Sequence, residues 1–304
     1  MASTAERTAL DVVDVRETPA RSPRRRRFAH WRYLAAPTAL LVVFFLAPMV
    51  LMVRMSLLRY PPNTRSGYTF VHYGNVLTDP VYRKVALTTF IIATSAQLLM
   101  LAIGIPLAYI MAFKAGRWEL LLLLLLVLAD ELNPIVKIYA WRMLLGHDGI
   151  VNWVLLKIGI VQQPVSWLLF GRFSVIITLA TSWITYTTIP IYAAMKAIDP
   201  SLLQAADDLG AGWWTKARRI LVPLAAPGIF IAMILVYIPM FTDFVTNNLV
   251  GGTNSYMLGN SVNDLILSTN NWGDGSALNF ILLVLSVVLS LLAYRLARLN
   301  RIDV

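Results

Sequence analysis

Residues 120–134 read LLLLLLLVLADELNP, a run of seven leucines that leads into two adjacent acids. A helix built from such a run is apolar around its whole circumference, which predicts a membrane-spanning segment. If this helix enters the bilayer near Trp118, Asp130 lies about 18 Å further along its axis, near the middle of the membrane. A charge at that depth costs roughly 2.5–3.5 kcal/mol and usually faces a protein interior or a watery cavity. We therefore expect Asp130 and Glu131 to face something polar inside the bilayer.

The whole chain has the composition of an integral membrane protein. Of its 304 residues, 58% are hydrophobic and only 14% are charged, whereas ordinary soluble domains carry about 25% charged residues. The net charge of +10 does not indicate nucleic acid, because the basic residues are scattered beside apolar runs. The chain has no cysteine and only three dispersed histidines, so thiolate sites are excluded and a metal cluster is not expected. The lipid bilayer is the predicted partner, with no nucleic acid and no metal.

Six stretches are apolar over the roughly 20 residues that cross a bilayer. They are residues 33–56, 85–113, 118–145, 173–197, 224–246 and 277–298. Because a single span satisfies its backbone hydrogen bonds only as a helix, the predicted fold is all-α and integral to the membrane, with six transmembrane helices. Pro134, Pro190 and Pro239 fall inside three of these spans and predict kinks. A shorter apolar piece near 153–169 is broken by Pro164 and is predicted to be an external elbow.

The distribution of lysine and arginine predicts that both termini are cytoplasmic. Residues 1–30 are polar and contain the run Arg24–Arg27 without an apolar signal-peptide core, so they are predicted to be a disordered basic cytoplasmic tail. The other predicted cytoplasmic segments also carry clusters of basic residues, whereas the predicted external loop at 247–276 carries none.

One predicted cytoplasmic loop has the internal organisation of a docking element. Residues 198–229 read IDPSLLQAADDLGAGWWTKARRILVPLAAPGI. Asp199-Pro200 is a helix-start signal, and Gly210 and Gly212 supply the stop. The helix between them carries an apolar stripe formed by Leu202, Leu203, Ala206 and Leu209.

A second amphipathic piece follows this helix, from Trp213 to Val222. Pro223 is then predicted to begin the fifth span. Two short helices along the membrane surface are expected to present a protrusion to a cytoplasmic partner.

The pair Ala205-Ala206, followed by Gly210 and Pro223, resembles the EAA loop in the membrane subunits of type I ABC importers. In that family the loop is a coupling helix that sits in a cleft of the ATP-hydrolysing subunit. Gln204 stands where the family has a glutamate, and Ala217 stands where it has an aromatic residue. The resemblance implies a coupling loop at about 198–223, with Gln204, Ala205, Ala206, Asp207, Asp208, Gly210 and Pro223 as its contact residues. Asp207 or Asp208 is expected to replace the missing glutamate.

The resemblance is closest to the spermidine/putrescine permeases. Residues 137–152, KIYAWRMLLGHDGIVN, share their Tyr-Ala-Trp segment and Gly-x-x-Gly-x-x-Asn spacing, and residues 241–280 resemble their fifth-span exit and external re-entrant segment. It implies a six-span permease domain over 31–304, in the bacterial plasma (inner) membrane, that imports a small cationic substrate by alternating access. The implied partners are an ATP-binding subunit in two copies, a second permease subunit and an extracytoplasmic substrate-binding protein.

Other functions stay open at this stage. Related importers carry iron chelates or phosphonates, and a stand-alone secondary transporter is a further alternative, although no inverted repeat is evident. The stretch GAGWWTK is not a phosphate loop, because the chain contains no Gly-Lys pair. We expect no cofactor on this chain and no enzymatic activity, with ATP used by the partner ATPase.

Acids and aromatic residues within the spans are the candidates for a cation pathway, because carboxylates offset lost hydration and ring faces attract ammonium groups. They are Asp130, Glu131, Trp141, Trp183, Tyr186 and Asp243. Asp130 and Lys137 share a helix stripe, yet seven residues span about 10 Å of a continuous helix, so this pair is not expected to touch. Asp130 and Glu131 have three possible roles: lining the pathway, pairing with bases on other helices, or pairing with the second permease subunit. Asp243 is either a pathway acid or a helix-end acid at the outer interface.

Overall fold

Helices make up nearly all of the regular structure. The computed structural model describes residues 37–299, and the predicted tail at 1–30 lies outside them. In chain order the helices are α1 (Pro37–Leu57), α2 (Val71–Thr78), α3 (Pro80–Lys114), α4 (Glu119–Asp130), α5 (Pro134–Leu145), α6 (Ile150–Lys157), α7 (Arg172–Lys196), α8 (Pro200–Asp208), α9 (Trp213–Thr242), α10 (Val245–Val250), α11 (Leu258–Asn263) and α12 (Trp272–Leu299). Within residues 37–299 the only extended pairing is an isolated antiparallel bridge between Leu58 and Tyr68. The all-α fold class is confirmed.

Five helices, α1, α3, α7, α9 and α12, are long and apolar enough to cross a membrane. They overlap five of the six predicted spans. The first part of α1, residues 37–51, forms a unit of its own, and nearly all its side chains are exposed. Residues 52–299 contain the buried hydrophobic core. The count of six spanning segments and the cytoplasmic position of both termini stay predictions.

The predicted third span, residues 118–145, is not one helix. It forms α4 and α5, which are separated by a turn at residues 131–133. The Asn133 side-chain oxygen caps α5 by accepting a hydrogen bond from the Ile135 amide at 2.8 Å. Pro134 occupies the first turn of α5, where its missing N–H is not needed. The prediction of a continuous third helix kinked at Pro134 is wrong, because Asn133 and Pro134 together start a new helix.

Helix α9 runs through Pro223 without the predicted break. A π turn at Ala217–Leu221 ends two residues before the proline, and there the Val222 amide donates to the Ala217 carbonyl. Proline has no N–H for the carbonyl four residues earlier and its ring crowds that group, so a wider turn accommodates it. The second amphipathic piece is therefore the first part of the fifth long helix. The prediction that Pro223 begins a separate helix is wrong.

Small residues allow α3, α7 and α9 to pack closely. A Cβ added to Gly228 on α9 would lie 2.5 Å from both the Ala194 Cβ and the Pro190 carbonyl oxygen of α7. Gly104 has the same role between α3 and α7, where an added Cβ would lie 3.2 Å from a threonine hydroxyl. Close backbone approach of this kind is a main source of helix association in membranes.

The predicted elbow after α5 is held together by Asn152. This side chain is fully buried. Its amide nitrogen donates to the Gly146 carbonyl at 2.9 Å, and its oxygen accepts from the Val165 amide at 2.8 Å. Gly149 makes the tight turn possible, because an added Cβ would lie 2.4 Å from the Leu144 carbonyl oxygen. The Gly-x-x-Gly-x-x-Asn spacing thus shapes the connection between α5 and α6.

A network of asparagines, centred on the buried Asn247 and Asn260, holds the segment that follows α9. Asn260 donates to the Phe244 carbonyl at 3.1 Å and to the Asn248 side chain at 2.7 Å, and it accepts from Asn247 at 3.0 Å. The Ser255 hydroxyl completes the network by donating to Asn247 at 2.7 Å. Buried polar networks whose members are all paired are rigid, so this network fixes α10 and α11 at the end of α9.

We expect Gly228→Ala to destabilise the protein, because its methyl group would overlap α7 and overpacking costs about 1–3 kcal/mol. Gly74→Ala on α2 is the matched control, since nothing lies within 4 Å of its added Cβ and alanine is favoured over glycine in a helix by about 0.5–1 kcal/mol. The measurement is the thermal unfolding midpoint in detergent micelles. A midpoint for Gly228→Ala at or above that of the wild type would contradict the close crossing of α7 and α9.

Candidate transport pathway and coupling surface

An ion pair closes the break between α4 and α5. The Lys137 Nζ lies 3.0 Å from the Asp130 Oδ1 and also donates to the Asp130 main-chain oxygen at 3.2 Å. Each of the two side chains is only 16% exposed. The prediction that these residues do not touch is wrong, because it assumed a continuous helix. The turn at 131–133 brings the first turn of α5 back to the end of α4.

Aromatic side chains of α7 extend this site. Tyr186 lies near the Asp130 carboxylate, and the residue is 41% exposed. Its ring centroid lies 5.4 Å from that of Trp183. The neighbouring Thr185 hydroxyl donates to the Leu126 carbonyl at 3.1 Å and so fixes α7 against α4. A carboxylate, an ammonium group and an accessible phenol ring therefore meet at one place.

Glu131 and Trp141 are not joined to Asp130 by any hydrogen bond or ion pair within residues 37–299. Glu131 lies in the turn between the two helices and is exposed. Trp141 lies one turn beyond Lys137 on α5 and is half-buried. Of the two adjacent acids, the structure brings only Asp130 into the ion pair.

Asp243 lies at the end of a helix. Among the described residues its carboxylate bonds to Thr246 and not to Asp130 or Lys137. Helix α9 ends at Thr242, and the Asp243 backbone is extended. Its carboxylate accepts from the Thr246 amide at 2.8 Å and from the Thr246 hydroxyl at 3.0 Å, which supports the start of α10. Both oxygens are engaged, so the geometry favours the helix-end role. A pathway role for Asp243 stays a prediction.

Two polar residues of the bundle were not among the predicted site residues. Lys137 was missed because its partner appeared out of reach. Gln97 on α3 is 2% exposed, and its amide has no hydrogen-bond partner among the described residues. It lines a largely apolar cavity of about 420 Å³ between α3, α9 and α12. A solitary glutamine inside an apolar span is the sequence signal that identifies it.

The predicted coupling helix is α8, and both of its predicted end signals are confirmed. The Asp199 carboxylate accepts from the Ser201 amide at 2.9 Å, and this bond lowers the pKa of Asp199. At the other end Gly210 has a left-handed backbone with φ +71°. Its amide donates to the Asp207 carbonyl, and the next amide donates to the Ala206 carbonyl, both at 2.9 Å. This is the usual glycine C-cap motif.

Helix α8 buries one face and exposes the other. Ala206 is buried and Leu203 is half-buried. Leu202 and Leu209 are exposed, Leu209 to 88%, so the predicted apolar stripe is divided between the two faces. The exposed positions include Gln204, Ala205, Asp207, Asp208 and Leu209.

Two contacts anchor α8 and the start of α9. The Asp207 carboxylate forms an ion pair with Lys216 in the first turn of α9. The Trp213 ring packs against Tyr109 of α3, with ring centroids 4.3 Å apart. Pro223, the last predicted coupling residue, lies further along α9, beyond the π turn. The predicted coupling surface therefore corresponds to α8 with its glycine cap.

The sequence matches the family described as binding-protein-dependent transport system inner membrane component over residues 87–301. It is 33% identical over 266 residues to the spermidine/putrescine transport system permease protein PotB of Haemophilus influenzae. The alignment covers 85% of this chain and 91% of that protein. It is 30% identical to PotB of Escherichia coli K12, in an alignment that covers 85% of this chain and 94% of that protein.

The fold is similar to that of a solved bacterial ABC transporter involved in the import of the acidic polysaccharide alginate. The TM-score is 0.74 at 19% identity, over 92% of this chain and 98% of that chain. At this identity the likeness concerns the fold alone. The spanning helices and the family match identify a multi-pass protein of the inner membrane. The chain belongs to the family of binding-protein-dependent transport system inner membrane components.

Proposed function

We propose that the chain is the permease subunit of an ATP-driven ABC importer that moves a small cationic polyamine, of the spermidine or putrescine type, into the cytoplasm. The sequence support is the family match together with the relatives, since two proteins named as spermidine/putrescine permeases align over 85% of the chain. As the membrane component, the chain provides the path, and a separate subunit hydrolyses ATP.

The Asp130 ion pair is the observation that carries the choice of a cation. Its carboxylate follows a run of seven leucines, where a charge without a partner is costly. It already binds one primary ammonium group, that of Lys137, at 3.0 Å. The exposed Tyr186 lies near it, and aromatic rings attract ammonium groups over their faces. These are the groups that replace the hydration shell of a passing polyamine.

The coupling surface supports an ATP-driven cycle. We assign residues 31–304 to one permease domain, with the coupling loop at about 198–223. Helix α8 docks on one of two copies of an ATP-binding subunit, a second permease subunit completes the path, and an external binding protein delivers the substrate. ATP binding draws the two coupling helices together and opens the path outward, and hydrolysis resets it.

Iron chelates and phosphonates fit the site less well. These substrates present anionic oxygens, which cannot take the place of the Lys137 ammonium at the Asp130 carboxylate. A stand-alone secondary transporter has no ATP-binding subunit on which an exposed, glycine-capped helix such as α8 would dock.

The test is ATP-driven uptake of labelled spermidine into proteoliposomes that contain this chain with its ATPase, second permease and binding protein. We expect uptake by the wild type and a reduction of roughly tenfold or more in Asp130→Asn, because a hydrogen bond to a charged group contributes about 1.5–3 kcal/mol. Glu131→Gln is the matched control, since that acid is exposed and outside the ion pair. It is expected to retain uptake.

ATPase stimulation by the binding protein is measured in parallel to show that each variant is assembled. Wild-type uptake in Asp130→Asn would make the acid structural. If the wild type shows coupled ATPase activity but no spermidine uptake, the chain is still an importer subunit and the polyamine substrate is refuted.

We expect Gly210→Ala to uncouple the transporter, because a non-glycine residue in the left-handed region costs about 1–2 kcal/mol and opens the cap of α8. Gly212→Ala is the matched control. Its backbone, at φ −65° and ψ 161°, suits any residue, and nothing lies within 4 Å of its added Cβ. The measurement is the stimulation of ATPase activity by the binding protein, expected to fall severalfold in Gly210→Ala alone. Equal stimulation in both variants would refute a coupling role for the capped helix.

A further inference from the structure

The group that occupies the Asp130 carboxylate is chemically the same as the end of a polyamine. Lys137 presents a primary ammonium on a flexible four-carbon stem. It donates to the carboxylate at 3.0 Å and to the main-chain oxygen of the same residue at 3.2 Å. The site proposed to receive the substrate is therefore already filled by part of the chain.

We propose that Lys137 is a resident counter-ion that the substrate displaces. The inference rests on the proposed function and adds a specificity-determining residue to it. Between transport events Lys137 holds Asp130, and during passage an ammonium group of the substrate takes its place. Lys137 returns when the substrate leaves.

Exchange of this kind keeps the carboxylate paired at every stage. Removing one partner from a buried ion pair is strongly unfavourable, because it leaves an uncompensated charge. Replacing one ammonium group by another avoids that state, so the free energies of the empty and the occupied site stay close. Both side chains are partly exposed, at 16% each, so the chain itself does not seal the pair off.

The same exchange selects for cations. A neutral or anionic molecule has no group that replaces the Lys137 ammonium, so it meets a closed ion pair. A polyamine opens the pair by substitution. Lys137 is thus a positioning residue that acts through Asp130.

The competing role for Lys137 is a fixed connection between α4 and α5, which its bond to the main-chain oxygen favours. The two roles differ in their response to Lys137→Arg. A fixed connection tolerates arginine, which keeps the charge and the pairing. A displaceable counter-ion does not, because a guanidinium binds a carboxylate through two parallel hydrogen bonds and is harder to replace.

The first measurement is spermidine uptake and binding-protein-stimulated ATPase activity of Lys137→Arg in the complete transporter. We expect uptake to fall roughly tenfold while ATPase stimulation is retained; a tenfold change corresponds to about 1.4 kcal/mol. Lys157→Arg is the matched control, because this lysine of α6 lies over the Trp153 ring at 4.6 Å and outside the ion pair. Wild-type uptake by Lys137→Arg would show a fixed connection and overturn the proposal.

The second measurement asks whether the Asp130 site attracts an ammonium group other than that of Lys137, and it does not require transport. The chain has no native cysteine, so Lys137→Cys introduces a single thiol beside Asp130. In the complete transporter, the positively charged reagent aminoethyl methanethiosulfonate is compared with neutral methyl methanethiosulfonate, and modification is read as the mass shift of this chain. We expect the charged reagent to react roughly tenfold faster after correction for intrinsic reactivity; that factor again corresponds to about 1.4 kcal/mol. Spermidine and Asp130→Asn should each remove this preference.

The outcomes separate this inference from the proposed function. Equal rates for both reagents, with or without spermidine, would overturn the exchange even if the wild type imports spermidine. If spermidine removes the preference but the transporter imports no spermidine, Asp130 binds ammonium groups as the exchange requires, and the proposed transport is refuted. If Lys137→Cys fails to assemble, as judged by ATPase stimulation, Lys137→Arg decides.

Discussion

The structure depends on the requirement that polar groups in a membrane find their partners within the protein, because hydrocarbon offers none. Long helices meet this requirement for their own backbones. Where a helix stops, a side chain supplies the missing partner: Asn133 at the start of α5, Asn152 in the turn after α5, and Asn260 after α9. Lys137 belongs to the same group, since it bonds the terminal carbonyl of α4 as well as a carboxylate. The break that needs such a partner is also the place where a polar path can begin.

Predictions that rest on a residue and its nearest neighbours along the chain hold well here. Asp199-Pro200 and Gly210 define both ends of α8, because a cap is made within a few residues of sequence. The same kind of signal stands at Asn133-Pro134, yet the apolar residues on both sides predicted one continuous span. Hydropathy measures composition and not the continuity of a helix. At this position the local cap decides the structure.

Contacts between distant parts of the chain were beyond the reach of sequence reasoning. The approach of Tyr186 to Asp130, and the fit of Gly228 against Pro190, depend on how helices pack after they form. Pro223 was ambiguous for another reason. The local sequence is the same whether a proline separates two helices or lies within one helix after a π turn. Only the structure shows that α9 is one long helix here.

A transport site has to select its substrate without holding it tightly, since a deep free-energy minimum traps what it binds. A bare carboxylate at membrane depth fails this requirement, because the empty state is costly and the occupied state is very favourable. A resident ammonium raises the stability of the empty state and makes the two states similar. This arrangement requires the helix break, because on a continuous helix Lys137 would lie about 10 Å from Asp130 along the axis and leave the acid unpaired. In the proposed exchange the acid, the lysine and the Asn133-Pro134 break act together, and the polar end of the leucine run allows a cation site that is selective but weak.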